Sequence, residues 1–134
     1  GDQVYGIEIQ YVKEIIEVQR ITKVPHVPPY IKGIINVRSK VVPIVDIRIR
    51  FGKPEIPYTN RTCIIILELG DVSVGIIVDS VADVEDVHMT EISATPDNNS
   101  VNTNDFIQYM IRSDDTTKLI LDVAKLLDEQ EFEV

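Results

Sequence analysis

The sequence predicts an all-β chain folded as two small antiparallel barrels, with helix confined to two short segments. Three observations carry this expectation. First, the 134 residues break into short runs rich in Val and Ile, separated by Gly, Pro, Asn or Asp, the pattern of half-buried strands joined by turns. Second, helical periodicity is scarce. Third, the chain repeats itself. Shifted by 69 positions, Gly1-Asp2 falls on Gly70-Asp71, Gly6-Ile7 on Gly75-Ile76, Ile9 on Val78, Val12 on Val81, Glu14 on Asp83 and Val18 on Val87, without a gap. Further on, residues 31–37 with Arg38-Ser39, then 42–45 with Asp46, resemble residues 106–111 with Arg112-Ser113, then 118–121 with Asp122, the offset drifting from 75 to 76. Two barrels are expected because short strands escape exposed edges best by closing. The length suits one domain, residues 1–134, with approximate repeats at 1–56 and 63–134.

In chain order, strands are expected at residues 4–9 and 12–18, followed by an extended or turn-rich connection through Pro25, Pro28 and Pro29. Strands at 30–37 and 41–45 come next, and Asp46 opens a short helical turn through Phe51. Residues 54–60 read as a linker between halves. The second half offers strands at 63–69, 72–78 and 81–87, a mobile Asn-rich loop over 96–105, and strands at 106–112 and 118–121. Asp122 then N-caps a last helix with Val123, Leu126 and Leu127 on one face. Gly33 and Gly75 are expected to allow close backbone approach inside the barrels. Strand 63–69 precedes the Gly70-Asp71 turn, whereas nothing precedes Gly1-Asp2. The opening strand of the first barrel is therefore expected to be missing from these residues.

Net charge is −9, unevenly spread: residues 1–61 hold ten Lys/Arg against six Asp/Glu, and residues 62–134 hold three against sixteen. Nucleic acid is excluded as a partner, since phosphate binding draws on a concentrated cationic face. The imbalance reads either as a solvated surface with an acidic tail (Asp128, Glu129, Glu131, Glu133) or as two halves facing different protein partners. The longest apolar run, residues 63–67, is far short of the roughly 20 needed to cross a bilayer. No targeting signal is seen, and the single Cys63 cannot form an internal disulfide, so a cytoplasmic location is expected.

Catalytic chemistry finds no support. His26 and His88 are isolated, and Asp79, Asp83, Glu85 and Asp86 lack the Gly and terminal Glu of a calcium loop. No phosphate loop or nucleophile elbow is present, so neither a cofactor nor a metal is expected. Arg38 ends an apolar strand at a turn, where a guanidinium can fork to a carboxylate or cap carbonyls. Val12, Glu14 and Ile15 lie in a segment whose apolar residues are too closely spaced to face one core, as do Val81 and Val84 in its repeat. One side of each is expected to be exposed and adhesive.

These residues carry a family resemblance. Val4-Tyr5-Gly6-Ile7-Glu8-Ile9, Val12 with Glu14-Ile15-Ile16, then Pro25 and Pro28-Pro29 resemble the start of a CheW-like chemotaxis coupling domain. More specific are Ile31-Lys32-Gly33-Ile34-Ile35-Asn36-Val37-Arg38, Val42-Pro43-Ile44-Val45-Asp46-Ile47-Arg48 and Phe51-Gly52. Val74-Gly75-Ile76-Ile77-Val78-Asp79-Ser80-Val81 and Leu119-Ile120-Leu121-Asp122 with Leu126-Leu127 continue the match. The resemblance implies two intertwined SH3-like five-stranded barrels and a non-catalytic adaptor in the cytoplasm, associated with membrane-bound receptor arrays. Its implied partners are the cytoplasmic tip of a chemoreceptor and the regulatory domain of the histidine kinase CheA. An alternative within the family is a regulatory or scaffold module of CheA or CheV type that binds kinase-type domains only. The resemblance also implies a partner-contacting arginine at Arg38. The expected protein-binding set is Arg38, Val12, Glu14, Ile15, Val81 and Val84. Ser39 stands where the family usually has Gly, and Gln108-Tyr109 where Gly is common.

Overall fold

A computed structural model describes residues 4–82, 84, 92–93, 106–113 and 116–127. The elements are β1 (Val4–Gly6), β2 (Val12–Glu17), β3 (Ile31–Val37), β4 (Lys40–Asp46), α1 (Ile47–Arg50), β5 (Cys63–Leu69), β6 (Val72–Val78), β7 (Ile92–Ser93), β8 (Ile107–Ser113), β9 (Thr116–Leu121) and α2 (Val123–Leu126). The chain is mainly β, and the two helices follow Asp46 and Asp122 as the sequence predicts. Each aspartate caps its helix. Asp46 Oδ1 accepts the Arg48 and Ile49 N–H groups at 3.0 and 3.4 Å, and Asp122 Oδ1 accepts the Lys125 N–H at 3.2 Å. Asp46 is buried, and its second oxygen accepts from the Tyr58 hydroxyl at 3.1 Å. Burial, then the Asp46 charge, pushes the Tyr58 phenol above its ordinary pKa.

Two strand expectations need correction. The strand expected at 4–9 stops at Gly6, and Ile9–Tyr11 form a 3-10 turn closed by the Tyr11 N–H on the Glu8 carbonyl. Its repeat, β6, runs on to Val78 because it pairs with β5 along its whole length, whereas among the described residues β1 pairs only with β9. In the strand expected at 81–87, Val81, Ala82 and Val84 are not in a strand, and the rest lies outside the described residues. Also outside them are His88, Asp83, Glu85, Asp86, the loop at 96–105 and the acidic tail.

The strands form two sheets, ordered β2-β5-β6-β4-β3 and β1-β9-β8-β7. All-antiparallel pairing does not hold. β4 runs parallel to β6, and β1 parallel to β9. Each parallel pair joins strands from different repeats, whose long connection supplies the crossover that parallel neighbours need. Both sheets thus mix strands from the two repeats, and the repeat is visible as an approximate two-fold relation. Gly6 lies opposite Ile120 where Gly75 lies opposite Ile44. Asp46 N–H bonds to the Tyr30 carbonyl at 2.8 Å where Asp122 N–H bonds to the Phe106 carbonyl at 2.7 Å. One sheet has five strands and the other four, and among the described residues β1 has no second neighbour.

Because β5 and β6 are covered on both faces, they read as near-continuous apolar runs. Ile64, Ile66 and Ile77 point to one side with Ile35, Val42 and Ile44. Leu67, Val74 and Ile76 point to the other, where they meet Ile31, Val45, Phe51, Phe106, Leu121 and the α2 face of Val123, Leu126 and Leu127. Ile107, Met110 and Leu119 form a smaller cluster in the second sheet. Between the sheets, the Arg50 guanidinium sits 4.5 Å from the Tyr30 ring centroid and 4.3 Å from that of Phe106.

Candidate functional site

β3 and β4 are joined by a two-residue turn, Arg38-Ser39, with Val37 paired to Lys40. Both turn residues have positive φ, 52° and 69°, the type I′ geometry whose twist matches a hairpin. This throws the Arg38 side chain clear of the sheet. It is 78% exposed, and its Nε donates to Glu14 Oε2 at 3.1 Å, a carboxylate whose own side chain is only 23% exposed.

Glu14 comes from β2, at the opposite edge of the five-stranded sheet from β3. A bulge brings it there. Val12 pairs with Leu67 but Glu14 pairs with Ile66, so Lys13 is the extra residue. Leu67 and Ile66 face opposite sides, and therefore so do Val12 and Glu14 despite their spacing of two. Ile15 follows onto the Val12 side opposite Ile65, and Ile16 onto the Glu14 side opposite Ile64. The close apolar spacing in this segment is thus resolved by burying alternate faces. Val12 packs half-buried against the core between the sheets, Ile15 is 49% exposed, and Glu14 turns toward the hairpin.

A shallow cleft lies beside the pair, floored by Val37, Val42 and Ile66 and rimmed by Lys13, Lys40 and Ser73. Glu68 ties this rim together. Its carboxylate lies 3.0 Å from Lys13 Nζ and 3.9 Å from Lys40 Nζ, and accepts from Ser73 Oγ at 3.3 Å. Lys40 Nζ also donates to Ser73 Oγ at 3.0 Å. The hydrogen bond and charge of Lys13 hold the Glu68 carboxyl below the usual carboxylate range.

Of the expected site residues, the structure joins Arg38 directly to Glu14 and places Val12 and Ile15 on the other face of the same strand. Val81 and Val84 are exposed, Val84 at 80%, but do not line the cleft. Arg112 and Ser113, which the repeat aligns with the Arg38-Ser39 turn, lie instead in β8, paired with Thr117 and Thr116. The flanking pairs, Val37 with Lys40 and Ser113 with Thr116, match at an offset of 76, so the alignment of Arg38 with Arg112 is two residues out. Sequence reading passed over Lys13, Lys40, Glu68 and Ser73, whose signal arises only when four strands align. It also passed over Val41, exposed beside the turn. His26 occupies a turn with φ 62°. Among the described residues, no three His, Cys, Asp or Glu side chains gather as a metal site.

The whole span resembles one family: residues 1–131 match the CheW-like domain. The chain belongs to the CheW-like family. The Chemotaxis protein CheW of Bacillus subtilis is 38% identical over 126 residues, covering 94% of this chain and 81% of the relative. The Chemotaxis protein CheW of Klebsiella aerogenes is 31% identical over 132 residues, covering 98% and 80%. The crystal structure of the scaffolding protein TtCheW from Thermoanaerobacter tengcongensis superimposes with a TM-score of 0.83 at 32% identity, over 90% of this chain and 82% of that one. The two-sheet arrangement described above is therefore a CheW-like fold.

Proposed function

We propose that this CheW-like domain is a non-catalytic chemotaxis adaptor that couples the cytoplasmic tips of chemoreceptors to the regulatory domain of CheA. The observation that carries the reading is Arg38, held on a strained hairpin tip and oriented by Glu14 while its guanidinium stays exposed. That arrangement suits reversible recognition of a protein surface. Ile15, Val81 and Val84 add exposed apolar contact area, and Val12 supports β2 from beneath. The protein acts in the cytoplasm at receptor arrays; among the described residues, no helix is long and apolar enough to cross a membrane. The chain's identity to the CheW relatives, 38% and 31% in the two above, favours the adaptor over a regulatory or scaffold module of CheA or CheV type.

Binding to a receptor-tip fragment and to a CheA regulatory domain should each be saturable and micromolar, on the order of −8 kcal/mol. Arg38→Ala should change stability by no more than about 1 kcal/mol, the ceiling for an exposed pair, and weaken binding by about 1 kcal/mol or more. Titration calorimetry and thermal melts on the same variant read both. If the unsubstituted protein binds neither partner, coupling is refuted. A lower melting temperature with intact affinity makes Arg38 an internal clamp. Binding to the kinase domain alone would favour the regulatory-module reading.

A further inference from the structure

Resting on that adaptor reading, we infer that the cleft beside Arg38 is an acid-recognition site, in which Lys13 and Lys40 join Arg38 to hold carboxylate side chains of an acidic protein segment. Three cations surround the cleft, against the two carboxylates of Glu14 and Glu68. The cations reach outward: the side chains of Lys13, Lys40 and Arg38 are 47%, 48% and 78% exposed, whereas Glu68 and Glu14 sit lower at 38% and 23%. In a chain of net charge −9, this end of the five-stranded sheet therefore offers surplus positive charge outward.

The bonding pattern leaves capacity for a ligand. Among the described residues, Arg38 is bonded to Glu14 through Nε only. Its two terminal nitrogens, bonded to none of the described residues, can fork onto an incoming carboxylate, the geometry in which a guanidinium binds carboxylates best. Glu14 is then a positioning residue that keeps the fork turned outward. Lys13 and Lys40 share the single carboxylate of Glu68, so neither charge is fully neutralised. The apolar floor of Val37, Val42 and Ile66 matches the aliphatic part of a glutamate side chain. The occupant is thus an acidic stretch on a protein partner.

The test measures the affinity of the unsubstituted protein and its variants for a receptor-tip fragment and a CheA regulatory domain across a salt series. Lys13→Gln with Lys40→Gln should weaken binding to one of them about fivefold at low salt, the scale of an exposed ion pair or two. The difference should fade at high salt, where exposed charges are screened. Glu68→Gln should do the opposite and tighten binding, because it frees both lysines; loss of folding cannot imitate that gain. Reversing the partner's acidic residues to lysine should abolish binding, and Lys40→Glu should restore part of it. If the unsubstituted protein binds with an affinity independent of salt and of all three substitutions, the acid-recognition site is wrong while the adaptor function stands. If it binds neither partner, the function itself fails.

Discussion

Ser39 holds φ at 69° beside Arg38 at 52°, a conformation that costs a non-glycine residue about 1 kcal/mol or more. Ser39→Gly relieves the strain but gives the unfolded chain more freedom. A net gain of about 0.5 kcal/mol is therefore expected, seen as a small rise in calorimetric melting temperature with partner affinity unchanged. A drop in stability would mean that the serine side chain holds the turn. Glu68 gives a pH signature. Its folded pKa is lowered, chiefly by Lys13, so its contribution is present above the unfolded carboxylate pKa of about 4.3 and is lost as pH falls through the folded value. Lys13→Gln should therefore be less stable than the unsubstituted protein at pH near 7, with the gap closing as Glu68 protonates. Urea unfolding at neutral and acid pH compares the two, and a gap that widens in acid would reverse the assignment.

Within the elements, the matched glycines show what the repeat protects. A Cβ on Gly75 would lie 2.6 Å from Ile44 Cδ1, 2.9 Å from Ile64 Cγ2 and 3.2 Å from Ile66 Cδ1, while one on Gly6 would meet only Ile120 Cδ1, at 2.6 Å. Three packed neighbours cannot all withdraw, whereas one side-chain end can rotate. Gly75→Ala should cost about 1–3 kcal/mol through overpacking, and Gly6→Ala clearly less, by chemical denaturation of both variants. Equal costs would show that Ile120 is as tightly confined as the Ile44 cluster. Gly33, at φ 144°, is pressed against the Thr22 backbone carbonyl, where the chain leaving β2 bridges to β3. Gly52 closes α1: with φ at 78°, its N–H bonds to the Ile49 carbonyl and that of Lys53 to the Arg48 carbonyl, a Schellman ending.

At the scale of the whole molecule, exchange of strands makes the two repeats interdependent. β5 and β6 stand in the middle of the sheet that holds β2, β3 and β4, and β1 completes its ladder on β9. Arg50 stacks between Tyr30 and Phe106, two rings from corresponding positions of the repeats. Fragments 1–57 and 58–134 should each lack a stable fold, because each would expose one face of a split core. Mixing them should restore β-sheet circular dichroism, and the intact chain should unfold in a single calorimetric transition. A cooperative melt from either fragment alone would show that the sheets are independent.

Local chemistry made much of this protein readable from its residues. Alternating and continuous apolar runs placed most strands, Asp46 and Asp122 marked both helix starts, and Arg38-Ser39 marked the hairpin turn, because propensity, capping and turn geometry act over a few residues. The 69-residue repeat likewise announced two related halves. Tertiary structure alone decided which strands pair, with β4 on β6 and β1 on β9. It alone turned Glu14 toward Arg38, since a one-residue bulge at Lys13 reverses the facing of Glu14, Ile15 and Ile16 while leaving the local pattern unchanged. The cluster of Lys13, Glu68, Ser73 and Lys40 belongs to the same class: residues from four strands become neighbours only when burial of both faces of β5 and β6 fixes the sheet order.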